Sequence, residues 1–300
     1  MSLHGVLVID KPRGLSSAQV VARVRRALRE KSAGHTGTLD PMATGVLPVV
    51  MGEGTKIAGF LLADDKAYEG ELELGVTTDT LDAEGKELAR APWEHIDEAA
   101  VRAAIERLTG EQLQIPPMHS ALKQDGKRLY ELARAGLDVP REARAVRIDR
   151  FELRAFAPPR LTFAVECSKG TYVRSLARDL GEILGTGATL TALRRTRSGR
   201  FSLADAVPLD GDLQAAARDR LVSPASAIDH IPGWTVSDTD AARVAQGQRL
   251  ALPADAIAGQ TWRILRSSGD LAAVAEAKEA TDPEGAKVLK MSYLRVMVPG

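Results

Sequence analysis

Short apolar runs separated by turn-forming residues organise the start of the chain. Val6 to Ile9 is such a run, and the charged, Pro- and Gly-containing stretch after it predicts a strand followed by a turn. Val20, Val24 and Leu28 then recur at helical spacing. Ser16 and Ser17 stand just before them, and serine is a preferred N-cap residue, so we predict a helix that begins there.

The same pattern analysis extends to most of the chain. It predicts strands over residues 45–51, 68–74, 146–156 and 161–167. It predicts helices over residues 56–62, 98–108, 129–135 and 171–184. Residues 34–44 are dense in Gly, Thr and Pro and are predicted to form a loop. The elements alternate irregularly, which favours an α+β fold built on a mixed, largely antiparallel sheet over a doubly wound fold.

The C-terminal seventy or so residues have a different character. The composition shifts near Pro224 to Pro232, after which a short helix is predicted over Asp238 to Gln246. Short strand-like runs follow at residues 261–266, 271–277, 288–289 and 294–298. We therefore predict two domains, at residues 1–230 and 231–300, the second a small β-rich barrel whose role is binding.

Composition excludes several classes of site. The single cysteine, Cys167, cannot form an internal disulfide or a multi-cysteine metal site. The five histidines show no metal-ligand spacing, so no metal is expected. The apolar run near the N-terminus is too short for a signal peptide or a membrane span, which predicts a cytoplasmic protein without membrane association.

Charge is balanced overall but uneven along the chain. Lys plus Arg and Asp plus Glu each number 40, so net charge gives no indication of nucleic-acid binding. Residues 20–31 nevertheless hold five basic residues and one acid, residues 194–200 hold four arginines, and residues 64–87 hold nine acids. These segments form either distinct basic and acidic faces or ordinary solvated helix surfaces, and charge alone does not decide between the two.

Four places carry candidate chemistry. In the loop from Gly34 to Pro41, glycines permit close approach of another backbone and Pro41 holds Asp40 extended. Asp40 is either a carboxylate presented to a substrate or the centre of an Asx-type turn. Tyr68 on a strand, Arg174 at the start of a helix and Leu193 beside a basic cluster are the other three. Each also has an ordinary structural role: packing, a helix surface and the core, respectively.

Ordered motifs along the chain resemble one known family, the TruB-type pseudouridine synthases. The resemblance covers about residues 3 to 210 and continues weakly to the end. Its motifs are Lys11-Pro12, Gly14-Leu15-Ser16-Ser17, the loop from Gly34 to Gly45, Asp65-Lys66-Ala67-Tyr68, Gln114-Ile115-Pro116-Pro117, Gly126-Lys127, Arg141-Glu142-Ala143-Arg144, Cys167 to Tyr172 with Arg174, and Leu193-Arg194-Arg195.

The resemblance implies a pseudouridine synthase fold and roles for particular residues. Asp40 matches the family's nucleophile, and Tyr68 matches the aromatic residue that stacks on the uracil and assists proton removal from C5. Arg174 matches the basic residue paired with the aspartate, where a cation would lower the carboxylate pKa. The remaining matches concern RNA binding: His35 stabilises the flipped-out RNA, and Tyr172 and Leu193 line the base pocket.

The resemblance also implies the substrate and the accessory parts. The expected reaction converts uridine 55 in the T-loop of tRNA to pseudouridine, an isomerisation that needs no cofactor. Residues 114–150, with eight basic residues and five acids, match an RNA-gripping thumb, and the C-terminal segment matches an RNA-binding PUA domain. A monomer without an obligate protein partner is expected. Alternatives are a synthase acting on other RNA or within a guide-RNA particle, and a tRNA-folding chaperone without catalysis.

Overall fold

The structure is a computed structural model of the 300-residue chain. It describes residues 3–120, 122–124, 126–134, 136–137, 139–253, 255–281 and 286–297. Four positions of the predicted thumb, Ala121, Asp125, Ala135 and Asp138, lie outside the described residues, as does Val298 at the end of the last predicted strand.

Eighteen strands occur in the described residues. In chain order they are β1 Gly5–Lys11, β2 Ala33–His35, β3 Thr44–Met51, β4 Lys66–Leu74, β5 Val76–Thr78, β6 Glu87–Arg90, β7 Gly110–Gln114, β8 Lys123–Gln124, β9 Lys127–Arg128, β10 Arg144–Ala157, β11 Arg160–Cys167, β12 Ala188–Ser198, β13 Phe201–Ser202, β14 Val207–Pro208, β15 Gly233–Thr235, β16 Thr261–Leu265, β17 Leu271–Thr281 and β18 Lys287–Val296.

Eight α-helices lie between these strands in the same part of the chain, with a 3₁₀ turn at Gly52–Ile57. In chain order they are α1 Ser17–Leu28, α2 Ala58–Leu62, α3 Glu98–Arg107, α4 Leu129–Arg134, α5 Val173–Leu184, α6 Leu213–Arg220, α7 Pro224–Ala227 and α8 Asp238–Ala245. Of the two serines at its start, Ser16 is the cap of α1, because its hydroxyl accepts from Gln19 N while the Gln19 side chain accepts from Ser16 N. None of the described helices has the length and apolarity needed to cross a lipid bilayer.

A ten-stranded sheet forms the centre of the molecule. Its strands run in the order β14-β1-β3-β12-β4-β11-β10-β7, with β2 paired to β3 and β13 paired to β12. Only the β1–β14 and β3–β12 pairs are parallel. The α+β fold on a mixed, largely antiparallel sheet is therefore confirmed.

Strand alternation divides the core between the two faces of this sheet. On β1, Leu7 and Ile9 point into a cluster covered by α1, α3 and α5, whereas Val6 and Val8 point into a second cluster on the opposite face. Successive strand residues face opposite sides, so a strand buried on both faces reads as a continuous apolar run. That pattern is why the sequence predicted β1 and β3 correctly.

The strand at the centre of the sheet was not predicted. Residues 188–198 (β12) contain three arginines, Arg194, Arg195 and Arg197, and arginine is mostly exposed rather than buried in a central strand. β12 lies between β3 and β4, so Arg194 and Arg195 pair with Thr44 and Gly45 of β3. The basic segment thus joins β4, which carries Tyr68, to β3, which follows the loop that carries Asp40.

The C-terminal segment forms a separate four-stranded sheet, β15-β16-β17-β18, with α8 packed against it. The sheet is open within the described residues, so barrel closure stays a prediction. Leu271, Val274 and Met297 of this segment are buried against Val6 and Val46 of the central sheet. The boundary near residue 230 also stays a prediction, and the two segments share a hydrophobic cluster across it.

Gly45 occupies the closest backbone approach between β3 and β12. Its φ is +100°, a conformation unfavourable for any residue with a Cβ, and a Cβ there would lie 2.2 Å from the Arg195 carbonyl oxygen. Gly269 has a similar φ of +87° but no heavy atom within 4 Å of the corresponding Cβ position. Comparing alanine substitutions at Gly45 and Gly269 therefore distinguishes the cost of the backbone conformation from the cost of crowding by Arg195.

We expect Gly45→Ala to lower the free energy of unfolding by about 2–5 kcal/mol, because left-handed strain of about 1–2 kcal/mol adds to overpacking of about 1–3 kcal/mol. Gly269→Ala should lower the free energy of unfolding only by the left-handed strain of about 1–2 kcal/mol. Chemical denaturation of both variants measures the difference. Equal losses would show that β3 and β12 do not approach each other as closely as described.

Candidate active site

The loop that carries Asp40 connects β2 to β3 and is fixed by the residues that precede it in the chain. The Ser17 hydroxyl at the start of α1 accepts from Leu39 N at 2.8 Å and donates to Leu39 O at 3.0 Å. Gly14 N donates to Pro41 O at 2.8 Å. These backbone contacts on either side of Asp40 determine where its side chain points.

Lys11, at the end of β1, holds the other side of this loop. Its ammonium group is fully buried and donates to Ala43 O at 2.6 Å and to Pro41 O at 3.2 Å. Burial lowers the pKa of Lys11 to about 8, and the charge of Asp40 opposes that change. In the sequence Lys11 stands out only as part of a motif, because contacts to loop carbonyls cannot be inferred from spacing.

Arg174, at the beginning of α5, meets Asp40 directly. Its Nε lies 2.9 Å from Asp40 Oδ2, and its two other nitrogens donate to Thr80 O at 2.9 Å and His119 O at 2.8 Å. The Arg174 side chain is 5% exposed and that of Asp40 is 34% exposed. The ion pair therefore has one buried cation and a carboxylate with one side open to solvent.

A second carboxylate completes this arrangement. Asp82 Oδ2 lies 3.6 Å from Arg174 Nε, and the Asp82 side chain is buried. The Thr80 hydroxyl donates to Asp82 Oδ1 at 2.6 Å, and Glu84 N donates to the same oxygen at 3.1 Å. In the sequence Asp82 is one of the nine acids of residues 64–87, and only folding brings it within reach of the arginine that Asp40 also meets.

Burial determines the acidity of Asp40 more than its partners do. Desolvation raises the pKa of Asp40 above its ordinary value, Arg174 opposes this rise, and the negative charge of Asp82 adds to it. The prediction that the cation lowers the pKa describes the direction of the Arg174 effect correctly. The net change is nevertheless upward, so Arg174 offsets part of the desolvation penalty of the carboxylate.

Tyr68, on β4, is 8% exposed and lies directly opposite Arg195 of β12. Burial raises the pKa of Tyr68, and the nearby guanidinium opposes that rise. The Arg195 side chain is itself buried, and it donates to Val46 O at 2.7 Å and to Gly37 O at 3.1 Å. Arg195, grouped in the sequence with a basic cluster, therefore connects Tyr68 to the loop that carries Asp40.

Tyr172 precedes Arg174 and is positioned by Gln114 at the end of β7. Tyr172 N donates to Gln114 Oε1 at 2.8 Å, and Gln114 Nε2 donates to Tyr172 O at 3.2 Å. Burial raises the pKa of Tyr172, and the negative charge of Asp40 contributes to that rise. Tyr172 therefore lies within electrostatic reach of Asp40. The sequence showed Gln114 in a motif but gave no indication of this reciprocal pair.

Leu193 and His35 lie at the edge of the site. Leu193, with Met42 and Phe163, lines a cleft of about 490 Å³ beside the Asp40 loop. Burial and the charge of Arg195 lower the pKa of His35, which favours a neutral imidazole. His35 Nδ1 and Thr36 Oγ1 are buried without a hydrogen-bond partner among the described residues.

The structure thus pairs Asp40 with Arg174, on the helix that begins directly after Tyr172, and connects Tyr68 to the Asp40 loop through Arg195. Leu193 and His35 lie on the neighbouring strands β12 and β2. One carboxylate is accessible and charge-paired, which suits nucleophilic attack on, or stabilisation of, an electron-poor carbon. Two tyrosines and a leucine offer apolar surfaces for a planar ring. In the part of the chain that the structure describes, no group of three or more His, Cys, Asp or Glu side chains is arranged to hold a metal ion.

Comparison with protein-family models gives two matches along the chain. Residues 25–173 match the N-terminal domain of the TruB family pseudouridylate synthases. Residues 174–228 match the C-terminal domain of tRNA pseudouridylate synthase B. The two segments together contain all the site residues discussed above except Lys11, Gly14 and Ser17.

Curated relatives are similar over most of their length. A protein named tRNA pseudouridine synthase B from Burkholderia lata is 49% identical over 289 residues, which cover 94% of this chain and 89% of that protein. A protein of the same name from Aromatoleum aromaticum is 51% identical over 257 residues, covering 85% and 83%, respectively.

Two solved structures share the architecture. One, described as a Cbf5-Nop10-Gar1 complex, has a TM-score of 0.76 and 27% identity and covers 99% of this chain and 86% of that chain. Another, described as an H/ACA RNP bound to a substrate RNA containing 2′-deoxyuridine, has a TM-score of 0.73, 26% identity and the same coverage.

Removal of the Arg174 charge should destabilise the protein. Arg174→Met leaves Asp40 and Asp82 without their shared cation, and breaking a buried pair in this way costs about 3 kcal/mol or more. The pKa of Asp40 should then rise further above its unfolded value, so the folded state takes up a proton and the deficit shrinks as the pH falls. Urea denaturation at several pH values measures both effects.

The matched control is Arg178→Met, one turn along α5, where the arginine is more exposed and pairs with the adjacent Asp179. We expect a much smaller loss there. The account of the ion pair would be contradicted if Arg174→Met lost no more free energy of unfolding than Arg178→Met. It would also be contradicted if that loss grew as the pH falls.

Proposed function

Because the chain belongs to the TruB family of pseudouridylate synthases, we propose that it isomerises a uridine of tRNA to pseudouridine, with Asp40 as nucleophile. The observation that carries the proposal is the Arg174–Asp40 ion pair, which presents a partly exposed carboxylate. Tyr172 directly precedes the helix that supplies Arg174, and Arg195 connects Tyr68 to the Asp40 loop. The relatives named tRNA pseudouridine synthase B support the choice of substrate.

The reaction requires one bond to break and another to form within the same nucleotide. The C1′–N1 bond breaks, the uracil rotates, and C5 bonds to C1′. C5 then loses its proton and N1 takes one up, so the product is an isomer of the substrate. The base first leaves its stack and enters a pocket. Asp40 either adds to C1′, much as in glycoside hydrolysis, or adds to the base. Both routes need the ionised carboxylate.

Arg174 supports this ionised state. Desolvation favours the neutral acid, and the guanidinium 2.9 Å away offsets part of that effect. The two backbone carbonyls that accept from Arg174 fix the plane of its guanidinium. Arg174 therefore acts through Asp40, as a residue that positions the carboxylate and stabilises its charge.

Tyr68 is proposed to stack on the flipped uracil and to assist removal of the C5 proton. Its position opposite Arg195 holds the phenol in the sheet, and the neighbouring cation makes the hydroxyl a better proton-transfer group than burial alone would allow. Stacking of a base on an aromatic side chain contributes about 1–3 kcal/mol. That contribution suits a small pocket with few other anchors.

The remaining residues are assigned to RNA binding. Tyr172 and Leu193 line the base pocket, in keeping with the nearness of Tyr172 to Asp40 and the place of Leu193 in the adjoining cleft. His35 stabilises the flipped-out RNA. This role rests on the match of His35 to the family motif.

We assign the reaction to the T-loop of tRNA, at position 55, with residues 114–150 as a thumb over the RNA. The contacts of Gln114 with Tyr172 and of His119 with Arg174 support a link between this segment and the site. The C-terminal segment is proposed to be a PUA-like RNA grip. Its four-stranded sheet and shared hydrophobic cluster place it beside the central sheet.

The similarity to proteins solved in H/ACA RNP complexes favours one alternative, a synthase that works within a guide-RNA particle. Identity to those chains is 26–27%, against 49–51% to the proteins named tRNA pseudouridine synthase B. An unmodified T-stem-loop transcript, incubated with the protein alone and mapped by carbodiimide chemistry, distinguishes the two. Pseudouridine at position 55 supports the proposal, and its absence there with product elsewhere overturns it.

Asp40→Asn should abolish turnover while RNA affinity stays within a few-fold of wild type. Asparagine is nearly isosteric with aspartate but cannot act as a nucleophile or supply a negative charge. Single-turnover product formation measures the rate, and a filter-binding titration measures the RNA affinity. Residual turnover above about one per cent of wild type would remove Asp40 from the role assigned here.

Tyr68→Phe should bind RNA normally and lose about 10²–10⁴-fold in rate, the usual contribution of a proton-transfer group. Tyr68→Leu should lose that rate and, in addition, about 1–3 kcal/mol of RNA binding, because the aromatic ring that stacks on the base is removed as well. The same two assays separate the effects. Wild-type activity in both variants would leave Tyr68 with a packing role only.

A further inference from the structure

A group of cations lies on the outer side of α1 and the neighbouring α6, away from the candidate active site. We call it the α1 ridge, and it comprises Arg23, Arg25, Arg26, Arg29, Lys31 and Arg218. All six side chains are exposed. The sequence analysis singled out the first five as a basic segment, and the site described above uses none of them.

The α1 ridge is not neutralised by acidic neighbours. Among the residues that the structure describes, no ion pair joins any member of the ridge to a carboxylate, whereas arginines elsewhere are paired, such as Arg90 with Glu87 and Arg102 with Glu98. Glu30 lies within the same segment, but it is buried and accepts from the backbone nitrogen of Leu3 at 2.6 Å. The positive potential of the ridge is therefore directed to solvent.

The two helices are held together at this point. Gln214 of α6 donates to Ala27 O near the end of α1 at 3.3 Å. Arg218 follows Gln214 by one helical turn, so it lies on the same face of α6, toward α1. Arg29, Lys31 and Arg218 line one cleft of about 720 Å³ at this junction. Cations from two elements thus converge on one concave surface.

Helix electrostatics account for only part of the ridge. Arg25 and Arg26 lie in the last turn of α1, where a cation favours the negative end of the helix dipole. Lys31 lies beyond the cap residue Arg29, and Arg218 belongs to another helix. Exposed cations without ion-pair partners among the described residues, three of which line a cleft, instead suit the regular negative charge of a nucleic-acid backbone.

Helix α1 connects the α1 ridge to the candidate active site, but the far end of the ridge lies away from that site. Ser17, the first residue of α1, holds the backbone of Leu39 next to Asp40. Twelve residues of helix at a rise of about 1.5 Å each place the far end of α1 about 18 Å from that contact. An RNA that inserts one base beside Asp40 would meet the ridge with a different part of its backbone.

We propose that the α1 ridge binds the phosphate backbone of tRNA outside the hairpin that contains the reacting uridine. The inference rests on the proposed function, because it takes tRNA as the substrate. Contacts there are shared by substrate and transition state, so they increase affinity and leave the chemical rate unchanged. They also make affinity depend on salt, since binding to each phosphate releases counterions.

The test compares a triple variant, Arg25→Gln, Arg29→Gln and Arg218→Gln, with a control triple variant, Arg90→Gln, Arg102→Gln and Arg107→Gln. Both remove three exposed positive charges. Affinity for full-length tRNA and for the isolated T-stem-loop is measured over a salt series, in the Asp40→Asn background so that the RNA is not consumed. Circular dichroism and thermal unfolding confirm that each protein is folded.

For full-length tRNA, the ridge variant should reduce the slope of log affinity against log salt by about 2–3, roughly one for each phosphate that the substituted arginines no longer bind. The control slope should stay at the unsubstituted value. The T-stem-loop slope should change by less than one, and with Asp40 restored the saturated single-turnover rate should match wild type.

Three results would overturn the proposal. The salt dependence of tRNA affinity could be unchanged in the ridge variant, it could change equally in the control variant, or the ridge variant could lose as much affinity for the isolated T-stem-loop as for full-length tRNA. The proposed function is judged separately, by pseudouridine formation in the hairpin by the wild-type protein. That result does not depend on the ridge.

Discussion

The ion pair between Arg174 and Asp40 is the interaction on which the arrangement of the site depends. A guanidinium that is 5% exposed needs nearby negative charge, and here two carboxylates lie within 3.6 Å of its Nε while two backbone carbonyls accept from its other nitrogens. These partners come from the Asp40 loop, the loop between β5 and β6, and the segment after β7. The first turn of α5 therefore holds three distant parts of the chain in one place. One side of the Asp40 carboxylate stays exposed to solvent.

The central sheet supplies the fixed frame for this pair. β3, β12 and β4 are adjacent, and Arg195 on the middle strand reaches Val46 and Gly37 on one side and faces Tyr68 on the other. Lys11 and Ser17 hold the same loop through hydrogen bonds to its backbone. A loop so constrained presents its carboxylate with little conformational freedom to lose on binding, which is the preorganisation that catalysis at a single residue requires.

Much of this could be predicted from local pattern. Continuous apolar runs predicted β1 and β3, helical spacing after Ser16 predicted α1, and ordered motifs identified Asp40, Tyr68 and Arg174. The residues that were missed are those whose roles are defined only by contacts across the fold. Arg195 belongs to a polar, basic segment that becomes a central strand, and Asp82 belongs to an acidic segment that folds under Arg174. Barrel closure of the C-terminal segment and its boundary near residue 230 stay predictions.

The most direct test of the account is the acid limb of the single-turnover rate of pseudouridine formation, compared between wild type and Asp82→Asn. The rate should fall on acidification as Asp40 takes up a proton, with a midpoint above the ordinary value for aspartate because burial raises its pKa. The negative charge of Asp82 adds to that rise, so its removal should move the midpoint to lower pH. A midpoint that stays in place or moves upward would contradict the claim that the reactive carboxylate is Asp40, controlled by Arg174 and Asp82.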